Sequence, residues 1–260
     1  MDKNLLLPRE KYEEERKKYG ESPFTFEIEK DGQVLFYFGA NHSHDPANHQ
    51  YPILKEYWEK FLFKSEGKEK IVLVESELRK LEENLDTAIR RGSEGSFITF
   101  LAHEESIFVA CPDIEIEDLS NDSQEVSKEE ALLYRFINVA DNYKRTAKNI
   151  SFEEFLENWC KDKKQNHFWN RIEISVNSMK NLYKKVLGKE FDENDDLNSL
   201  VNPNKIGTRI NEISQILTDT RELKIVSEIE RYWKEGKSIF VVFGSGHLII
   251  QKPALEKLCT

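Results

Sequence analysis

Cysteine is scarce in this chain of 260 residues. Cys111, Cys160 and Cys259 make an odd set whose spacing matches no metal-binding pattern. Nothing in that set asks for a disulfide, so a reducing, cytoplasmic setting is expected. Long apolar runs are also missing. The opening Met1-Asp2-Lys3-Asn4-Leu5-Leu6-Leu7-Pro8 holds too short an apolar stretch for a secretory signal. No segment approaches the roughly 20 apolar residues of a membrane span. Positive charge is in deficit, with 38 Lys and Arg against 48 Asp and Glu and a formal net charge of -10. That balance argues against nucleic acid and against anionic membranes as partners. The acidic, glycine-poor stretch Phe191 to Asn204 lacks the alternating ligands and glycine turn of a calcium loop and reads as a surface loop.

What remains is the composition of an ordinary interior under a highly charged surface, 38% hydrophobic and 33% charged. Residues Pro8 to Tyr19 fit a short exposed helix or a loose arm. Phe24 to Glu29 and Gln33 to Phe38 read as strands joined by the hairpin turn Asp31-Gly32. Ile71-Val72-Leu73-Val74, Ile107 to Cys111 and Ser238 to Phe243 are short apolar runs bounded by turn residues, the pattern of buried strands. Tyr51 to Phe63 has apolar residues at helical spacing. Leu78 to Arg91 reads as a polar helix stopped by Gly92, with Ser93 able to cap the next one. From Ser127 to Gly188 three apolar stripes follow at helical spacing with no strand between them. Ile206 to Leu217 is a further helix. Asp219 and Glu222 form a capping-box pattern that would start another, running to Trp233. The fold expected is α/β: one domain over 1–260, with a central mixed, largely parallel sheet flanked by helices and a helical insertion over about 127–204.

Four of the buried strands end in polar groups. They are Gly39-Ala40-Asn41-His42, Glu75, Asp113 with Glu115, and Gly244-Ser245-Gly246-His247. In a largely parallel sheet these ends share one edge, the edge where open α/β sheets keep their sites. Two histidines and several carboxylates would converge there, as a metal site or a general-base site with an orienting acid. His247, in the first turn of a helix, would be held neutral by the helix dipole. His44 and His49 fall in a polar loop, with His44 near enough to approach the site. His103 and His167 lie in helical stretches. The aromatics Trp159, Phe168 and Trp169 read as core.

The paired GxxH motifs, the acid after the third strand and Arg221 before the last strand resemble the TraB/PrgY/Tiki family, within the wider group of erythromycin esterase-like and ChaN-like proteins. The likeness spans Phe38 to Cys111 and Thr218 to Leu258 and is thin across the helical middle. It implies active-site roles for His42, Glu75 and His247, and for Arg221 as the arginine ahead of the last strand. Arg91-Gly92-Ser93-Glu94 is similar to the Gly-Glu element that supplies a further acid, here Glu94. Glu222 departs from the Asn or Asp that many members carry. The resemblance implies a metal-dependent hydrolase of a peptide or of a small ester or amide. His42, Glu75, Glu94 and His247 would hold a divalent ion such as Mn, Co or Zn, and Arg221 would stabilise developing negative charge. No nucleotide cofactor is expected. Two alternatives stand beside it: a metal-independent hydrolase with a histidine base, and a non-catalytic protein that binds a peptide or small ligand. The oligomeric state is left open.

Overall fold

Five strands carry their side chains alternately into two apolar layers. A computed structural model describes residues 5–114, 118–119, 125–143 and 149–259. Phe24–Lys30 (β1) and Gln33–Ala40 (β2) form the expected antiparallel hairpin, with Lys30 opposite Gln33 across Asp31-Gly32. Lys70–Val74 (β3), Phe108–Ala110 (β4) and Ser238–Gly244 (β5) complete a sheet of order β1-β2-β5-β3-β4. Every pairing beyond the hairpin is parallel. The fold is therefore α/β with a mixed, mostly parallel sheet. β5, read from sequence as buried on both faces, is the central strand, and all of its residues are buried.

The helices of this sheet are Tyr12–Tyr19 (α1), Gln50–Lys64 (α2), Leu85–Glu104 (α3), the C-terminal part of the helix Arg209–Lys234, and the final helix Ser245–Glu256. One apolar layer joins Phe36, Phe38, Val72, Val74, Phe240 and Val242 to Leu54, Trp58 and Phe61 of α2 and to Ile98 and Leu101 of α3. The other joins Leu35, Tyr37, Ile71, Leu73, Ile239, Val241 and Phe243 to Ile225, Val226, Ile229, Leu248 and Ile249. Consecutive strand residues fall in opposite layers, as the two-residue period of a strand requires. Burial of each such side chain contributes roughly 1.5–3 kcal/mol.

The chain divides into two compact units, one comprising Met1–Ile114 and Arg221–Thr260 and the other Glu115–Thr220. The second contains the expected helical middle and extends past it on both sides. Its helices are Lys128–Tyr143 (α4), Phe152–Gln165 (α5), Val176–Leu187 (α6) and Leu197–Val201 (α7), followed by the start of Arg209–Lys234 (α8); the final helix is α9. The apolar stripes converge here: Leu132, Leu133, Phe136, Ile137, Leu156, Trp169, Met179 and Tyr183 are buried.

Several boundaries differ from the sequence reading. The helix expected to begin at Leu78 begins at Leu85, because Asn84 in extended backbone caps it, accepting from the Thr87 N–H at 2.9 Å. Gly92 and Ser93 have non-helical dihedrals and break α3 where a stop was expected. The two helices expected on either side of Thr218 are one, α8. The Asp219–Glu222 pattern starts nothing there: Thr220 bonds back to the Ile216 carbonyl at 2.7 Å, and the Glu222 carboxylate serves His247 instead. The surface loop expected over Phe191 to Asn204 holds the short helix α7, capped by Asp196. Glu115 lies outside the described residues. Among the described residues no helix is long and apolar enough to cross a membrane.

Candidate functional site

The C-terminal ends of β2, β5 and β3 lie side by side, where the chain leaves β2 for β3 and returns to place β5 between them. Such a crossing point is the usual seat of a ligand site in open α/β sheets. His42 follows β2, Glu75 follows β3 and His247 sits in the first turn of α9. The break in α3 presents Glu94, and α8 presents Arg221 and Glu222. All five residues picked from the sequence come together, within one compact unit.

Glu75 is the centre. Its Oε2 accepts from the Gly244 N–H at 2.7 Å and lies 3.6 Å from His42 Nε2. Its Oε1 is 3.2 Å from both His247 Nε2 and Arg221 Nη2. Each histidine is held from behind by a buried carboxylate. His42 Nδ1 is 2.5 Å from Glu94 Oε1, and His247 Nδ1 is 2.8 Å from Glu222 Oε1. The far Glu222 oxygen accepts from Gln251 at 2.6 Å, and the Tyr37 hydroxyl donates to Gln251 at 3.0 Å. Arg221 is clamped by Asp113, with Nε donating to Oδ1 at 2.6 Å and Nη2 to Oδ2, while the Ser76 N–H donates to Oδ2 at 3.0 Å. Arg9 brings a further cation to 3.9 Å from Glu222.

Backbone strain gathers here. His42, Ser76 and Ser93 have positive φ (43°, 71° and 50°), and the last two directly adjoin Glu75 and Glu94. Left-handed backbone at non-glycine residues costs of order 1–3 kcal/mol and persists where surroundings over-determine it, often at functional sites. Gly244 leaves room for the His42 ring: a Cβ there would stand 2.5 Å from His42 Nε2, so the ring would have to move.

The charge states differ from the expectation for His247. Burial disfavours its charged form, but Glu222 and Glu75 outweigh burial and raise its pKa to about 10. It is a cation, not the neutral group expected. Burial pushes Glu75 up, yet His247, Arg221 and His42 together hold it well below the usual carboxylate range. Glu222 is also lowered, chiefly by His247 overcoming burial. Burial works against the charge of Arg221, and Asp113 and Glu75 more than offset it. His42 is raised above 6.5, first by its bond to Glu94. It is also the open member: its side chain is 55% exposed, against 5% for Glu94 and 13% for His247.

A divalent ion needs neutral imidazoles and carboxylate lone pairs free to coordinate. Both ring nitrogens of His247 face carboxylates, and the Arg221 guanidinium occupies the Glu75 oxygen between them. Among the described residues no three His, Cys, Asp or Glu side chains are arranged to hold a metal ion. As placed, His42, Glu75, Glu94 and His247 form an ion-pair network in which Glu94 Oε2 is buried without a hydrogen-bond partner. The remaining histidines stand apart. His44 Nδ1 bonds the Arg90 carbonyl at 3.2 Å, His49 precedes α2, and His103 and His167 are exposed.

Asp113 and Glu222 were not among the residues assigned roles from the sequence. Asp113 could be seen as an acid past a strand. Glu222 reads from sequence as the end of a capping box and as a departure from the Asn or Asp of the family, and its partner lies 25 residues away along the chain. Comparison of the chain with protein-family models, with curated proteins and with solved structures finds no match.

Proposed function

We propose that the chain is a hydrolase of a small ester, amide or peptide bond in which His42 acts as general base without a metal ion. The observation that carries this reading is the setting of His42: a buried carboxylate fixed at Nδ1 of a ring whose side chain is 55% exposed. Glu94 accepts the Nδ1 proton, so in the neutral ring the Nε2 lone pair is free to take a proton from water. Glu94 then stabilises the imidazolium that forms. Positioned base catalysis of this kind contributes roughly 10²- to 10⁴-fold. Arg221 and the charged His247 create a fixed positive region beside Glu75 that favours the oxyanion of a tetrahedral intermediate. Glu75 and Asp113 position those cations. The likeness of the paired glycine–histidine motifs to the TraB/PrgY/Tiki group, whose wider group includes esterase-like proteins, agrees with hydrolysis.

The test is hydrolysis of a panel of esters and peptide amides by the full chain after exhaustive chelation. Retained turnover, lost in His42→Ala, is expected. Turnover abolished by chelation and restored by Mn, Co or Zn would replace this reading with the metal-dependent one. Thermal stabilisation by panel compounds with no turnover would make the chain a binding protein. Full activity in a His42→Ala, His247→Ala double variant would sink the site altogether.

A further inference from the structure

The helical unit Glu115–Thr220 contains a cavity of about 380 Å³ lined by Lys128, His167, Phe168, Asn170, Arg171 and Ile172. That volume lies within the roughly 300–1,000 Å³ of small-ligand pockets. Its lining is unusual for a chain of net charge -10, because among the described residues it holds three basic side chains and no carboxylate. Nearby acids are elsewhere engaged or outside the lining. Glu130 takes Arg209 at 2.7 Å, and Glu129 and Glu173 do not line the cavity. Among the described residues none of Lys128, His167 and Arg171 forms an ion pair; Lys128 instead rests its ammonium 3.8 Å above the Phe168 ring.

The walls are built to stay in place. Ser127 and Glu130 cap the start of α4 reciprocally, Ser127 N–H to Glu130 at 2.8 Å and Glu130 N–H to the Ser127 hydroxyl at 3.2 Å, which fixes Lys128. The opposite wall is a tight turn. Asn166 Oδ1 accepts from the Phe168 N–H at 2.9 Å, and the Ile172 N–H bonds the Trp169 carbonyl at 2.9 Å. Phe168 stands edge-on to the buried Trp169, ring centroids 4.4 Å apart. A planar guanidinium, an ammonium and an imidazole N–H on rigid supports suit an oxyanion with several acceptor oxygens. The Phe168 ring and Ile172 suit an apolar body attached to it.

We infer that this cavity is a binding site for a small organic anion, a phosphate or carboxylate head joined to an aromatic group. An anion entering the cavity would meet exposed basic groups that no carboxylate among the described residues already holds. The cavity belongs to the helical unit and the His42–Glu75–His247 network to the other, and binding here is read without any turnover.

The experiment is titration of the full chain with phenyl phosphate, benzoate and inorganic phosphate, followed by calorimetry and by amide shifts in 166–172. Saturable binding of an organic anion, weakening as salt rises and at least tenfold tighter than inorganic phosphate, is expected. The tighter of phenyl phosphate and benzoate identifies the head group. Arg171→Glu and Lys128→Glu, both at exposed positions, should each weaken binding at least tenfold with unchanged melting temperature. Phe168→Ala should erase the preference over inorganic phosphate. Absence of saturable binding by either organic anion overturns the proposal, as does binding indifferent to both charge reversals.

Discussion

Replacing Gly244 by alanine separates the position of His42 from the stability of the fold. The backbone tolerates the change, since Gly244 has φ -55° and ψ 146°, values open to any residue. The added methyl does not fit the site. It would lie 2.5 Å from His42 Nε2, 3.2 Å from Cε1 and 3.4 Å from Glu75 Oε2. The ring cannot retreat toward Glu94, which already holds Nδ1 at 2.5 Å, so it must swing out toward solvent and give up that bond. Overpacking a closed core costs roughly 1–3 kcal/mol. Here the obstructing group is half-exposed and able to leave, so about 1 kcal/mol is expected, less the few tenths that a Gly→Ala change returns through the unfolded chain. That corresponds to about 2–4 °C in melting temperature. Hydrolysis, by contrast, should fall roughly 10²- to 10⁴-fold, the contribution of a positioned base. Calorimetry measures the first. The second is followed by turnover and by imidazole NMR, in which His42 should titrate back toward 6.5. Undiminished activity with His42 still titrating high would refute the reasoning. Wholesale unfolding would show that Gly244 serves packing and not the site.

The same charges give three further expectations. The rate should rise through a pH above 6.5, because His42 must shed its proton to act as a base and Glu94 holds that proton on. Glu94→Gln should move this acid limb back down toward 6.5 in a pH–rate profile. His247 has its folded pKa raised to about 10 from 6.5, so the stability it contributes is complete below about 6.5 and fades as pH climbs through about 10; melting temperatures measured across that window should decline. Glu222→Gln leaves His247 and Arg9 short of a buried carboxylate and should cost about 3 kcal/mol in denaturant unfolding, while the alkaline limb drops below about 10. Gly92→Ala would place a Cβ 1.9 Å from the buried Ser96 hydroxyl, shifting the break that presents Glu94; a loss of roughly 2 kcal/mol is expected, partly restored by Ser96→Gly.

The sheet was legible because its strands carry their own evidence. Ile71–Val74 and Ile239–Phe243 are too short for buried helices and too apolar for loops, and Asp31-Gly32 marks the hairpin. What misled were local signals that tertiary context outweighed. Leu78 to Arg91 reads as a polar helix, yet Leu78 and Leu81 are exposed in the loop before Asn84. Asp219 and Glu222 had the spacing of a capping box, but buried apolar residues stand on both sides of it, Ile213 and Leu217 before and Ile225, Val226 and Ile229 after, and α8 runs straight through. At the site, strand ends located His42, Glu75 and His247 because their position depends only on where the strands stop. The partnership of Glu222 with His247 depends on which way a continuous helix turns its residues, and the charge of His247 depends on that partnership in turn.

The network also explains why a raised pKa at His42 is compatible with its acting as a base. Glu75, Glu94, Glu222 and Asp113 set four carboxylates against Arg9, Arg221 and the charged His247. With His42 neutral the group carries one uncompensated negative charge; with His42 protonated it balances. A proton arriving at His42 from water therefore moves the site toward neutrality, which is the same free energy that lifts its pKa. The penalty is a smaller fraction of free base at pH 7, and the return is a stronger base once free. Brønsted behaviour places the best compromise near the working pH. His42, exposed and only modestly coupled to Glu75 at 3.6 Å, sits closer to that compromise than His247, which two carboxylates at 2.8 and 3.2 Å fix as a permanent cation. Each histidine faces two carboxylates, so it is the exposure of His42 and its longer distance to Glu75 that set it apart from the enclosed His247.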